Sequence, residues 1–252
     1  MRRVAMSILC FALASCTGEG MDDGGEGPGL RGRLIDADGQ PLVGVEVLAC
    51  QATTCFYGDT DDEGRFSFEI EPPADIALKT HANLASVPRR GAALVPVDIV
   101  DDELVDVGDV YVPALPDGVV LGEPTEQLET YVVGDGLELS LRSADLMPNL
   151  GEFLYDLAAV RMPDEHVPTY AELGGEQVIA VYALHPFAAT CGTPVGVRVP
   201  VDLPDGTQVE LRTLSHLDGN VEEVVAAVVE DGYAVTAPDA GIMWLTHLIV
   251  SM

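Results

Sequence analysis

Beyond residue 29 the chain is a succession of short apolar–polar alternations punctuated by Gly, Asp and Pro, the pattern of strands joined by turns. Residues 30–35 open as a strand. A turn follows over 36–42, where Gly39 supplies a positive φ and Pro41 pre-sets the exit. Residues 43–50 alternate, with Val45, Val47 and Ala49 on one face and Glu46 and Leu48 on the other. A second turn over 61–64 leads into a strand that turns Phe66, Phe68 and Ile70 inward. Residues 76–80 alternate again, and 107–112 make a last strand ended by Pro113.

The prolines and glycine of 113–118 predict a short, stiff linker. Strands resume at Val119, with Leu137, Leu139 and Leu141 alternating. Residues 147–175 are irregular, carrying Pro148, Pro163 and Pro168, and 150–160 read as a short helix. Residues 178–184, 195–201 and 207–214 read as strands. In 221–230 the pairs Glu222-Glu223 and Ala226-Ala227 favour helix, but the valines and the Asp231-Gly232 hairpin signal outweigh them. Residues 233–236 and 243–251 close the chain. The expected fold class is all-β: two tandem β-sandwich domains over 30–113 and 119–252, joined by 114–118.

In the first half Gly32, Asp36, Gly39, Pro41-Leu42, Gly44-Val45 and Val47 resemble the opening of a carboxypeptidase regulatory-like domain. Thr60-Asp61-Asp62-Glu63-Gly64-Arg65-Phe66-Ser67-Phe68 resembles the central turn and strand of that family, and Val107-Gly108-Asp109-Val110-Tyr111 its final strand. The resemblance implies a transthyretin-like β-sandwich that serves as a stabilising or spacer module, and says nearly nothing about activity. The chain departs from the family at Pro72-Pro73-Ala74-Asp75-Ile76, where Pro-x-Gly-x-Tyr is usual. The second half is similar, without a compact motif, to Ig-like or ZU5-like sandwiches of bacterial surface proteins.

The N-terminus changes the picture. Arg2 and Arg3 precede the apolar run 4–13, which has signal-peptide length and is too short to span a bilayer. Leu13-Ala14-Ser15-Cys16 then resembles the lipobox of bacterial lipoproteins. That resemblance implies cleavage after residue 15 and two acyl chains on Cys16, enough for stable membrane residence. Thr17 in place of Asp implies sorting to the outer membrane or cell surface. Residues 16–29 are Gly-rich and acidic with almost nothing apolar to bury, which predicts a disordered tether.

Of 252 residues, 12 are Lys or Arg and 42 Asp or Glu. Cleavage after residue 15 removes Arg2 and Arg3, leaving 10 basic against 42 acidic side chains, a balance of −32. Such a chain is repelled by phosphate backbones, which excludes nucleic acid as a partner. An anionic lipid surface repels it too, so the lipid must supply the attachment.

Three cysteines remain for an oxidising compartment once Cys10 and Cys16 are accounted for. Cys50 and Cys55, with four residues between them, suit a hairpin that sets them opposite one another as a disulfide. Cys191 reads as a buried small residue. Asp59-x-Asp61-x-Glu63-Gly64 begins like an EF-hand loop, but Glu63 and Ile70 stand where such a loop needs Asp or Asn and then Glu. The histidines, at 81, 166, 185, 216 and 247, show no metalloprotease spacing, and Ser215-His216-x-Asp218 on one strand would point its members to opposite faces. No catalytic set, metal site or cofactor is expected, and Asp164, Glu165 and His166 mark the place where one would arise. The sequence thus reads as a non-catalytic, lipid-anchored envelope protein that contacts a protein or glycan. The alternatives are a divalent-metal-dependent or carbohydrate-binding module, or an accessory subunit of an envelope hydrolase.

Replacing Cys16 by Ser should release the protein into the soluble fraction. Fractionation with detergent checks this; a variant that still partitions with membranes refutes the anchor.

Overall fold

Two turns built by the same device set the geometry of the first half. Asp36 Oδ1 accepts the backbone N–H groups of Asp38 and Gln40, and Asp61 Oδ1 accepts those of Glu63 and Arg65, at 2.8–3.0 Å. Each carboxylate folds the chain back over itself. Gly64, at φ 75°, lies so close to the Leu34 carbonyl that a Cβ would sit 2.9 Å from it.

A computed structural model describes residues 27–149, 156–168 and 177–252. These residues are all-β. Three strands, β1 (Gly29–Ile35), β4 (Arg65–Glu69) and β7 (Leu104–Tyr111), form one sheet in the order β4-β1-β7, with β1 and β7 parallel. Four more, β2 (Glu46–Gln51), β3 (Thr54–Asp59), β5 (Ala74–Thr80) and β6 (Leu94–Ile99), form a second sheet in the order β3-β2-β5-β6. Leu30, Leu34, Phe66 and Phe68 from the first sheet pack on Val47, Ala49, Ile76 and Leu78 from the second, which makes a sandwich. Strand β6 was not expected from the sequence, and β3 only as the second arm of the Cys50–Cys55 hairpin. β3 is an exposed edge with little apolar pattern, and Pro96 interrupts β6.

The remaining strands are β8 (Val119–Val120), β9 (Glu129–Gly134), β10 (Leu137–Leu141), β11 (Leu146–Met147), β12 (Asp156–Arg161), β13 (Val178–His185), β14 (Ala189–Pro200), β15 (Gln208–Leu214), β16 (Val221–Glu230), β17 (Tyr233–Thr236), β18 (Ile242–Leu245) and β19 (His247–Ser251). They join in one sheet with the order β8-β12-β13-β19-β15-β16-β17-β14-β10-β9. The long strand β14 serves both sides of the fold: its first part pairs with β11 and β18, its second with β10 and β17. The sheet curls until its ends meet. Gly134 of β9 presses its backbone on the Ala159 carbonyl of β12, where a Cβ would come within 2.0 Å, and the Arg161 N–H donates to Asp135 Oδ2 at 2.8 Å. Its interior holds Leu137, Leu139, Leu157, Leu184, Leu211 and Leu248.

The helix expected over 150–160 is corrected: Asp156–Arg161 is a strand, while 150–155 lie outside the described residues. Leu157, Ala158 and Ala159 are buried in succession, because β12 lies between β8 and β13 with both faces covered. The strand expected at 195–201 starts earlier, at Ala189. Its Thr-Cys-Gly-Thr-Pro stretch, 190–194, forms the irregular first part of β14.

A third cluster joins the halves. Leu48, Cys50, Ala77, Leu94 and Tyr111 of the first half are buried against Met162, Val181, Phe187, Leu214 and Ile249 of the second. Strands β2 and β5 are therefore apolar on both faces: Val47 and Ala49 face the sandwich core, Leu48 and Cys50 the seam. Polar ties reinforce it. Lys79 Nζ donates to the His216 carbonyl, and Arg89 Nη2 lies 2.7 Å from Asp156 Oδ2. The 113–118 stretch is held as well, since Leu115 N–H donates to the Arg89 carbonyl at 2.9 Å and the Leu115 side chain is buried.

Ile249→Ala, at the centre of this seam, should lower stability by about 2–5 kcal/mol. Calorimetry should show one transition that moves as a whole, because both halves lose their shared contact. A separate, unmoved transition for the first half would contradict that coupling.

Candidate functional site

Where the seam reaches the surface it opens into a cleft of about 580 Å³. One wall is made by β6 and β7, the outermost strands of the two sheets of the sandwich. The other is made by 162–168 and the turn between β15 and β16. That turn comes close because it contains Gly219, at φ 79°, where a Cβ would sit 2.9 Å from Pro96. Valines 95, 97, 105, 107 and 167 give the cleft its apolar surface, and Asp98, Asp106, Asp109 and Glu165 its charge.

The carboxylates differ in their pairing. Arg31 Nε lies 3.0 Å from Asp106 and Arg33 Nη2 lies 2.7 Å from Asp109. The Gly108 N–H and Arg31 hold Asp106 below the usual carboxylate range, and the Arg33 hydrogen bond does the same for Asp109. Asp98 and Glu165 have no such cation among the described residues.

His166 ends a 3-10 turn, Asp164–His166, and its ring stacks on Tyr111 at 4.6 Å between centroids and 14° between planes. The structure thus brings two of the three residues singled out at 164–166 to the cleft, while Asp164 pairs outward with Arg161 at 3.4 Å. His247, fully buried, lines the floor. Its Nε2 lies 3.1 Å from the Ala92 carbonyl, and its Nδ1 has no partner among the described residues. Sequence reasoning missed His247, which starts a strand with no motif around it, and read Tyr111 only as the end of a family-like strand; Glu165 and His166 were the visible signal.

Elsewhere the sequence-level candidates take structural roles. Cys50 and Cys55 form a disulfide, directly opposite one another in the β2–β3 hairpin. The turn is two residues long, not four: Gln51 pairs with Thr54, and Ala52 takes φ 47°. Closing so short a loop contributes about 2 kcal/mol in the chain-entropy account. Cys191 is buried, and burial pushes its thiol up to about 12, which keeps it unreactive. Ser215, His216 and Asp218 form a turn: Ser215 Oγ accepts the Leu217 N–H, Asp218 Oδ1 accepts the Asn220 N–H, and His216 lies between Phe187 and Trp244. His185 ends β13 and is buried, its Nε2 3.7 Å from Asp156. Cys16 lies outside the described residues.

No family model matches this chain, and no match to it was found among curated proteins. Its function must be argued from its own residues.

Three of the histidines are held neutral on the seam. Burial lowers His247 to about 4, against the pull of the Ala92 carbonyl. Burial and the Lys79 charge lower His216 to about 4, with Asp218 opposing. Burial lowers His185, with Asp156 opposing and Arg89 assisting. A lowered histidine pKa means that the unfolded chain takes up protons which the folded chain refuses. Stability is therefore complete above the unfolded value of about 6.5 and falls as pH drops from there towards about 4. His247 alone accounts for a loss on the order of 3 kcal/mol across that window. Denaturant melts at pH 7.5, 6, 5 and 4.5 check this, and His247→Gln should flatten the slope.

Proposed function

We propose that this chain is a lipid-anchored protein of the cell envelope that works by binding, without catalysis. Cys16 carries the lipid, residues 17–29 form the tether, and residues 30–113 are a transthyretin-like module of the carboxypeptidase regulatory-like kind. Its partner is a protein or a glycan, met at the cleft on the seam.

The observation that carries this reading is the state of the cleft's carboxylates. Asp106 and Asp109 are locked by Arg31 and Arg33 and held ionised, which unsuits them to shuttle protons near neutral pH. The one histidine on the wall has its ring face committed to Tyr111. The two facing sheets of the first half support the module assignment. The acidic surface, with a formal net charge of −30, favours cationic partners over lipid headgroups or nucleic acid.

Capture from envelope extracts, with a hydrolase panel run on the same material, tests the reading. A saturable partner and no turnover is the expected result. Turnover that disappears in His166→Ala would overturn it.

A further inference from the structure

Resting on that reading, we propose that the cleft takes an extended, lysine- or arginine-bearing segment of a partner protein, added as a further strand along β6. The backbone makes the first part of the argument. β6 is the outermost strand of its sheet, and among the described residues no strand pairs with its second edge. The Thr80 N–H donates to the Ala93 carbonyl at 3.2 Å, which fixes the phase of the β5–β6 ladder. Val95, Val97 and Ile99 then bond to β5, and Leu94, Pro96 and Asp98 direct their backbone groups to the cleft. Pro96 is tolerated because its missing N–H falls on that side. It leaves its carbonyl for a guest, together with the N–H and carbonyl of Asp98. An extended guest adds to such an edge through its own main chain.

Charge makes the second part. Asp98 stands directly opposite Asp75 of β5, both exposed. They occupy a pair that does not exchange hydrogen bonds, the kind in which side chains come closest, and like charges there repel. Glu165 adds a carboxylate from the other wall. None of the three has a cation among the described residues.

His247 at the floor adds a third observation: the Ala92 carbonyl can only accept, so Nε2 carries the ring proton, and the buried Nδ1 has no partner among the described residues. The carboxylates and the Pro96 carbonyl are acceptors, and their complement is a guest rich in donors. Side chains alternating along the guest find the apolar surface of Val97, Val107 and Leu214. A glycan fits less well, since sugars stack on aromatic faces and Tyr111 already has His166 on its own. A second copy of the chain is opposed by its net charge of −30.

The test uses the full mature chain in detergent micelles and a fluorescent, acetylated Lys-Val-Lys-Val-Lys-Val-Lys amide. Saturable binding is expected, with none for the peptide carrying Glu in place of Lys. Asp98→Asn combined with Glu165→Gln should weaken binding about tenfold, and raising the salt should weaken it further. Asp205→Asn, in an exposed turn, should change nothing. N-methylation of alternate peptide amides should weaken binding at least about tenfold, because it removes the donors an edge strand needs. Circular dichroism confirms that the variants stay folded. No binding, equal binding of the Glu peptide, or indifference to the double substitution or to N-methylation overturns the proposal. So does displacement of the peptide by a neutral oligosaccharide, or self-association of the chain that excludes it. A partner captured from extracts that the peptide fails to displace removes this cleft assignment and leaves the display reading standing; turnover of a substrate removes both.

Discussion

The buried contact between the halves is the constraint on which the rest depends. A sandwich of two small sheets covers one face of each, and its outer faces ordinarily meet water. Here β2 and β5 carry Leu48, Cys50 and Ala77 outward, and only the second half removes those groups from solvent. Fully burying one large aliphatic side chain is worth about 1.5–3 kcal/mol, so the seam is comparable to a substantial share of a domain's stability. The close approach it demands explains several local choices, including glycine at 219 and the neutral imidazole at 247. The cleft follows from the same contact. It is the place where two curved surfaces joined at their centre diverge at the rim.

Most strands were legible because alternation survives wherever one face is wet. β1, β4, β10 and β15 read directly from their apolar spacing. The failures share a cause. Strand β12 is covered on both sides, so Leu157, Ala158 and Ala159 show no period of two and resemble a helix. The alternation of 43–50 sets Leu48 on the face opposite Val47 and Ala49, but nothing in the local pattern says what that face meets. The disulfide was legible from the spacing of Cys50 and Cys55, though the turn between them is tighter than it reads. The cleft was legible only in part, through Glu165 and His166; Tyr111, His247 and the aspartates of β6 and β7 come from positions far apart in the chain and are assembled by sheet registers.

The electrostatics are arranged in two layers. At the rim, Arg31 and Arg33 neutralise Asp106 and Asp109 in exposed pairs that contribute little to stability. Within the seam, charge is confined to a few held groups: Arg89 pairs with Asp156, and Lys79, lowered to about 8 by burial, has its ammonium held by the His216 carbonyl. The chain thus keeps its large negative charge on its surface and spends few of its scarce cations inside.

The placement of β1 and β19 has a mechanical meaning. β1 runs between β4 and β7, and β19 between β13 and β15, so each is flanked on both sides. A pull along β1 loads two rows of backbone hydrogen bonds in shear, and they must yield together. An edge strand pulled from its end would instead unzip one bond at a time. A load applied from the N-terminal side would therefore enter the body through a central strand, which resists fraying.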